Sequence, residues 1–112
     1  MEQNTETDQD WKLLLEKLTN LLGKTPSMEG ILFIIGVEEL GKGKKVFSKE
    51  EKQDLMHIGV CSVLANAGYY ELERRDNDGW PHFKLLQPLP ALDLEKQEQF
   101  LKTHIKTYFK DL

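Results

Sequence analysis

Residues Phe47–Phe83, FSKEEKQDLMHIGVCSVLANAGYYELERRDNDGWPHF, hold two patterns in succession, one helical and one strand–turn–strand. Ser48 and Glu51 form an S-x-x-E capping box, in which the hydroxyl serves the third helical N–H and the carboxylate reaches back to the cap. Glu50, Glu51 and Asp54 put negative charge at the positive end of the helix dipole. From Leu55 onward the helix is apolar nearly all round. Leu55, Ile58, Ser62 and Ala65 share one face, and Met56, Val60, Val63, Leu64 and Ala67 fill most of the rest, the mark of a buried helix. A glycine inside a helix costs about 1 kcal/mol against alanine, so Gly59 marks a place where another element comes close. Gly68 ends the helix at a position that favours positive φ.

The hairpin follows without a gap. Two strands, Tyr69–Arg75 and Trp80–Leu86, flank the turn Asp76-Asn77-Asp78-Gly79. Pairing Arg75 with Trp80 sets Glu73 opposite His82 and Glu71 opposite Lys84 on a charged face. It sets Leu72 opposite Phe83 and Tyr70 opposite Leu85 on an apolar face, expected to close the core. Pro81 lacks an N–H and marks the second strand as an edge.

Outside this stretch the patterns are helical. Trp11, Leu14, Leu15, Leu18 and Leu22 recur at helical spacing after a polar tail, residues 1–7, expected to be disordered. Thr25-Pro26 is expected to open a second helix running to Leu40, with Gly41 as its stop. The run Ile31–Ile35 also admits a buried strand, but the caps at both ends favour the helix. Gly30 and Gly36 suggest close packing against the central helix at Gly59. After the stiff Gln87-Pro88-Leu89-Pro90 connector, Asp93 caps a last helix reaching the C-terminus. Its expected buried stripe is Leu94, Leu101, Ile105, Tyr108 and Leu112, with Glu98, Lys102, Lys106 and Lys110 facing water.

The expected fold is therefore α+β: about four helices packed around a central one, Ser48–Ala67, followed by one antiparallel hairpin, Tyr69–Leu86. It is winged-helix-like at most. A chain of 112 residues is the length of a single domain, able to bury roughly 65% of its unfolded surface. With 39% hydrophobic and 30% charged residues, the composition is globular rather than disordered. The net charge of −4 argues against non-specific binding to nucleic acid or an anionic membrane. The lone Cys61 excludes an internal disulfide and fits a reducing cytoplasm. The acidic N-terminus, MEQNTETDQD, does not read as a signal peptide, and Ile31–Ile35 is too short to span a bilayer.

Two runs, IGVEELGKGKKVFSKEEKQDLMHIGVC (residues 35–61) and GYYELERRDNDGWPHFK (residues 68–84), resemble a family of short bacterial cytoplasmic proteins of unassigned function. The resemblance spans roughly the middle half of the chain. It implies a bacterial, cytoplasmic setting and brings no activity, cofactor or partner with it.

Candidate chemistry is sparse. Asp54 and His57 have the i, i+3 acid–histidine spacing of helical carboxylate metal sites, and Cys61 lies one turn beyond His57. No second such pair exists and no Cys/His set has zinc spacing, so neither a metal nor another cofactor is expected, and a small metal- or ligand-binding protein using Asp54, His57 and Cys61 stands as the second alternative. A thiol in an apolar helix has its pKa raised, which disfavours Cys61 as a nucleophile. Lys42, Lys44 and Lys45 in the Gly41–Lys45 loop could contact an anion, but the phosphate-loop motif is absent. With Arg74 and Arg75 they could also serve a winged-helix-like nucleic-acid binder. Glu50, Glu51 and Asp54 at the head of the presumed recognition helix would repel phosphate.

No catalytic set is assembled, which weighs against an enzyme. The favoured reading is a non-catalytic interaction module. Its expected surface is the polar hairpin face, Tyr69, Arg75, Trp80 and His82, because aromatic residues and arginine anchor interfaces. The partner would be another protein or a second copy.

Overall fold

The protein is described from a computed structural model covering residues 5–41 and 46–111, without the side chains of residues 5–8. It has four helices, α1 (Thr5–Leu22), α2 (Met28–Leu40), α3 (Lys49–Ala65) and α4 (Leu94–Tyr108), and two strands, β1 (Tyr70–Arg75) and β2 (Pro81–Leu85). The α+β class and the order of elements match expectation. The chain divides into two compact units, one of Met28–Ala91 and one of Met1–Ser27 with Leu92–Leu112.

In the Met28–Ala91 unit, α3 begins as its sequence dictates. Glu51 N donates to Ser48 Oγ at 3.1 Å, and Ser48 N donates to Glu51 Oε1 at 2.9 Å. The helix ends at Ala65, two residues short of the expected limit, and Gly68 takes φ +88°. α2 is a helix rather than a strand. It starts at Met28 and not at Pro26, and the Thr25 hydroxyl expected to cap it pairs with that of Thr19 at 3.0 Å.

The two helices cross on glycine. A Cβ on Gly36 would fall inside the van der Waals envelope of the Leu55 carbonyl, 2.7 Å from its carbon, and one on Gly59 would fall inside that of Leu32, at 2.9 Å. Each glycine is thus four residues along its own helix from the residue whose carbonyl the opposing glycine meets. Leu32 to Gly36 and Leu55 to Gly59 form two facing i, i+4 pairs. Interhelical spacing is set by the side chains at the contact, and here there are none. Ile31, Leu32, Ile35, Leu55, Ile58, Cys61, Val63 and Leu64 are buried around this crossing. A further cluster of Leu40, Phe47, Leu55 and Ile58 takes Phe33, Val37, Trp80 and Phe83 against its flank.

The second unit is formed by α1 and α4. α1 begins at Thr5, so Thr5–Thr7, expected in a disordered tail, are helical; residues 1–4 lie outside the described residues. Leu14 and Leu18 are buried. Asp93 caps α4 as expected, accepting from Lys96 N at 2.9 Å. The expected stripe on α4 holds at Ile105, which is fully buried, and fails at Leu94, which is 81% exposed in the first turn. Lys102, expected to face water, is partly covered: its ammonium lies 5.3 Å from the Trp11 ring centre and 3.5 Å from Glu98. The long aliphatic stem accounts for this, since lysine covers apolar surface while its charge reaches a ring face or an acid.

No helix among the described residues is long and apolar enough to cross a membrane.

Candidate interaction surface on the hairpin

The base of the hairpin keeps the expected register. Tyr70 faces Leu85, Glu71 faces Lys84 and Leu72 faces Phe83. Leu86 N donates to Tyr69 O at 2.8 Å, which extends the ladder by one pair, and the Gln87 amide closes the base on Gly68 O at 3.0 Å.

Toward the turn the register departs from expectation. A bulge at Glu73 places Arg74, not Glu73, opposite His82, and Arg75 opposite Pro81 rather than Trp80. The cause lies in Asp76. Its Oδ1 accepts from the backbone N–H of Asp78 and of Trp80, both at 3.0 Å, and its Oδ2 holds His82 Nε2 at 3.0 Å. Asp76 N donates to Trp80 O at 3.0 Å, and Gly79, at φ +88°, donates to Asp76 O at 2.9 Å. Asp76 thus takes the histidine expected to face Glu73, and the ladder absorbs the one-residue shift as a bulge. These bonds, with the His82 hydrogen bond the largest, hold the Asp76 carboxyl below the usual carboxylate range.

The four residues expected to form the surface are not equivalent. Trp80 lies outside β2 and its ring packs, half-buried, on the Leu40–Phe47–Leu55–Ile58 cluster. Arg75 is exposed but engaged at both ends: Nη1 donates to Gly79 O at 3.0 Å and Nη2 to Glu39 O at 2.9 Å. Glu39 belongs to the last turn of α2, where carbonyls lack intrahelical partners and a cation suits the dipole. Arg75 therefore ties the hairpin tip to the end of α2. His82 serves the turn, and Tyr69 sits half-buried at the hairpin's base.

The apolar face does not close the core as expected. Pro81 is buried and Phe83 partly buried, whereas Leu72 and Leu85 stay 47% and 50% exposed. Leu86, on the opposite face beside Tyr69, and Leu89 are open as well. The Leu85-Leu86 doublet accounts only for Leu86: consecutive strand residues point to opposite faces, so Leu86 stands outside when Leu85 shares a face with Phe83, and the doublet gives no account of the open Leu72 and Leu85. Among the described residues each strand pairs only with the other, which leaves its outer side without a strand partner there.

The remaining candidates are scattered. His57 Nε2 lies 3.5 Å from Cys61 Sγ, and Asp54 and His57 are exposed while the thiol is buried. Burial pushes the Cys61 thiol up to about 11, drawn partway back by a hydrogen bond with the Tyr70 side chain. A thiol so poised is a poor nucleophile near neutrality. No three His, Cys, Asp or Glu side chains among the described residues gather around one possible metal position. Lys42, Lys44 and Lys45 lie outside the described residues.

Compared with protein-family models, curated proteins and solved structures, the chain matches none.

Proposed function

We propose that this chain is a non-catalytic interaction module that takes another polypeptide on its hairpin. One observation carries the reading: Leu72, Leu85 and Leu86 stand half-open on a two-stranded sheet whose strands, among the described residues, pair only with each other. Isolated hairpins are marginal in water, and this one is held by clamps at tip and base, so its open leucines are presented on a positioned element. Tyr69 and His82 belong to the rim of the surface, while Arg75 and Trp80 set its angle. Open strand edges and alternating side-chain pockets suit an added strand from a partner. The proposed setting is the bacterial cytoplasm, supported by the free, buried Cys61 thiol and by the resemblance of residues 35–61 and 68–84.

The test is affinity capture from nuclease-treated lysate beside a Leu72→Glu/Leu85→Lys variant. Both positions are half-exposed, so the variant should keep the wild-type circular dichroism spectrum. A stoichiometric protein retained by the wild type and lost from the variant supports the reading. Sedimentation of the purified protein identifies that partner as a second copy if the wild type dimerises and the variant does not. Equal capture by both, or none by either from a folded monomer, removes the hairpin as the contact surface.

A further inference from the structure

The two outer edges of the hairpin are not alike. Leu86 N donates to Tyr69 O, so Tyr69 and Leu86 form a hydrogen-bonded pair. Along an antiparallel ladder such pairs alternate with pairs whose N–H and C=O point away from the partner strand. Tyr70 with Leu85 and Leu72 with Phe83 are pairs of the second kind. Beyond the bulge, Asp76 N donates to Trp80 O, which makes Arg75 with Pro81 another. The outer edge of β2 therefore includes Pro81, which has no N–H to offer an added strand, and Lys84 stands beside it; proline and lysine both blunt a sheet edge. β1 contains neither, and five of its six residues are exposed. Among the described residues, no hydrogen bond outside the ladder uses the main chain of Tyr70 or Leu72. β1 is the open edge.

Charge along β1 selects what can be added there. A strand laid antiparallel on this edge bonds to Tyr70 and Leu72. It meets Glu71 in a non-hydrogen-bonded pair, where opposed side chains stand closest. Glu71 is exposed, and among the described residues no ion pair or hydrogen bond engages its carboxylate, not even with Lys84 opposite. Arg74, the nearest cation on β1, lies beyond the bulge, opposite His82. A second copy of β1 fits poorly. The register in which Tyr70 and Leu72 bond reciprocally to their copies sets Glu71 against Glu71, and centring the pair on Leu72 sets Glu71 against Glu73. Like charges directly opposite are destabilising.

We infer that β1 receives an extended segment of another protein in which a lysine or arginine stands between two apolar residues, added antiparallel as a third strand. This rests on the hairpin being a polypeptide-binding element, and it names the edge and the sequence class. The apolar pair covers the open Leu72 and extends the face it shares with Leu85, while the basic residue meets Glu71. Main-chain bonds supply the affinity and alternate side chains the choice of partner. An exposed ion pair adds little affinity, so the charge acts by rejecting acidic sequences.

The probe is the capped pentapeptide Thr-Val-Lys-Val-Thr, titrated into the isotopically labelled chain beside Thr-Val-Glu-Val-Thr. The expected result is saturable amide shifts at Tyr70 and Leu72 with the lysine peptide, and binding about threefold weaker to Glu71→Gln. Glu71→Lys, a change at an exposed position that should keep the wild-type circular dichroism spectrum, should reverse the preference and take the glutamate peptide. N-methylation of either valine should abolish binding and N-methylation of the lysine should not, because in this register only the valine N–H groups point at β1. Equal binding of the two peptides by the wild type would overturn the inference, as would tolerance of valine N-methylation or shifts centred on Phe83 and Leu85. Absence of shifts with either peptide would also overturn it. The wider reading would then stand or fall by capture with the Leu72→Glu/Leu85→Lys variant, which depends on neither the edge nor the charge used.

Discussion

The α2–α3 crossing and the hairpin belong to the same compact unit and are held together in opposite ways. At the crossing, main chain meets main chain: Gly36 lies on the Leu55 carbonyl and Gly59 on that of Leu32. At the hairpin, single polar groups do the holding. Asp76 grips the turn, Arg75 reaches α2, and only Trp80 and Phe83 among its large side chains lean on the Leu40–Phe47–Leu55–Ile58 cluster. A contact built from backbone tolerates no added atom. A contact built from separate clamps can lose them one at a time, which is how an element can be both positioned and open.

The largest expected effect comes from giving the crossing a side chain. Gly36→Ala or Gly59→Ala should destabilise by about 3 kcal/mol, the upper part of the range for overpacking, because the obstructing atoms are backbone. Urea unfolding followed by circular dichroism measures this. Alanine is the better helix former by about 1 kcal/mol, so a neutral or stabilising result would show that the helices are not in contact there. The two substitutions share one interface, so the double variant should cost less than the sum of the singles.

Next comes Trp80, whose place decides whether the hairpin's most conspicuous aromatic belongs to the core or to a partner. Trp80→Ala should cost about 2 kcal/mol, below the figure for a fully buried tryptophan because the ring is only half covered. The same urea measurement applies, and a loss under half that size would return Trp80 to the surface. Arg75→Ala should cost less again, about 1 kcal/mol for two exposed hydrogen bonds to carbonyls. Arg75→Lys should recover only part of it, since a lysine cannot span Gly79 O and Glu39 O with a planar fork. Equal stability of the lysine variant and the wild type would mean that charge at the end of α2, and not the bridge, is what matters.

These two regions also mark how far the sequence could be read. The crossing was legible because glycine in the middle of a helix is unfavourable without a reason, and two such glycines on neighbouring helices supply each other's reason. The Ser48–Glu51 capping box, the Asp93 cap and the lower half of the hairpin register were legible for the same kind of cause, a local pattern with one good solution. The upper half was not. Alternation and charge pairing set His82 against Glu73, and nothing in that pattern weighed an Asp76 carboxylate able to bind two backbone N–H groups and the same histidine at once. Extending strand parity to Trp80 then put the indole on the wrong side. The open Leu72 and Leu85 were not legible: strand parity sets them on the face of Phe83, and nothing local says how far that face reaches past the helices. The pairing of α1 with α4 was not legible, because helical periodicity gives each face separately and says nothing of which faces meet.

The smallest expected effect is a matter of pH, and it separates the two regions most cleanly. In the folded chain the Asp76 carboxyl sits below its ordinary range, because the ionised form accepts from His82, Trp80 N and Asp78 N. A depressed folded value favours the native state wherever the unfolded chain would hold the proton more tightly. The contribution is therefore complete above the ordinary carboxylate range and is lost as the pH falls through the depressed value. Asp76→Asn keeps an acceptor oxygen for the turn but removes the titration, so its thermal midpoint should fall less steeply with acid than that of the wild type. Melts at intervals between about pH 5 and pH 2 read the difference in slope. The contacts of Gly36 with Leu55 and of Gly59 with Leu32 hold no titrating group, so amide exchange in the same series should open hairpin positions before those of α2 and α3. Parallel slopes for variant and wild type would show that Asp76 does not clamp the turn. Simultaneous opening would show that hairpin and helix pair are one cooperative unit, whatever the difference in how they are held.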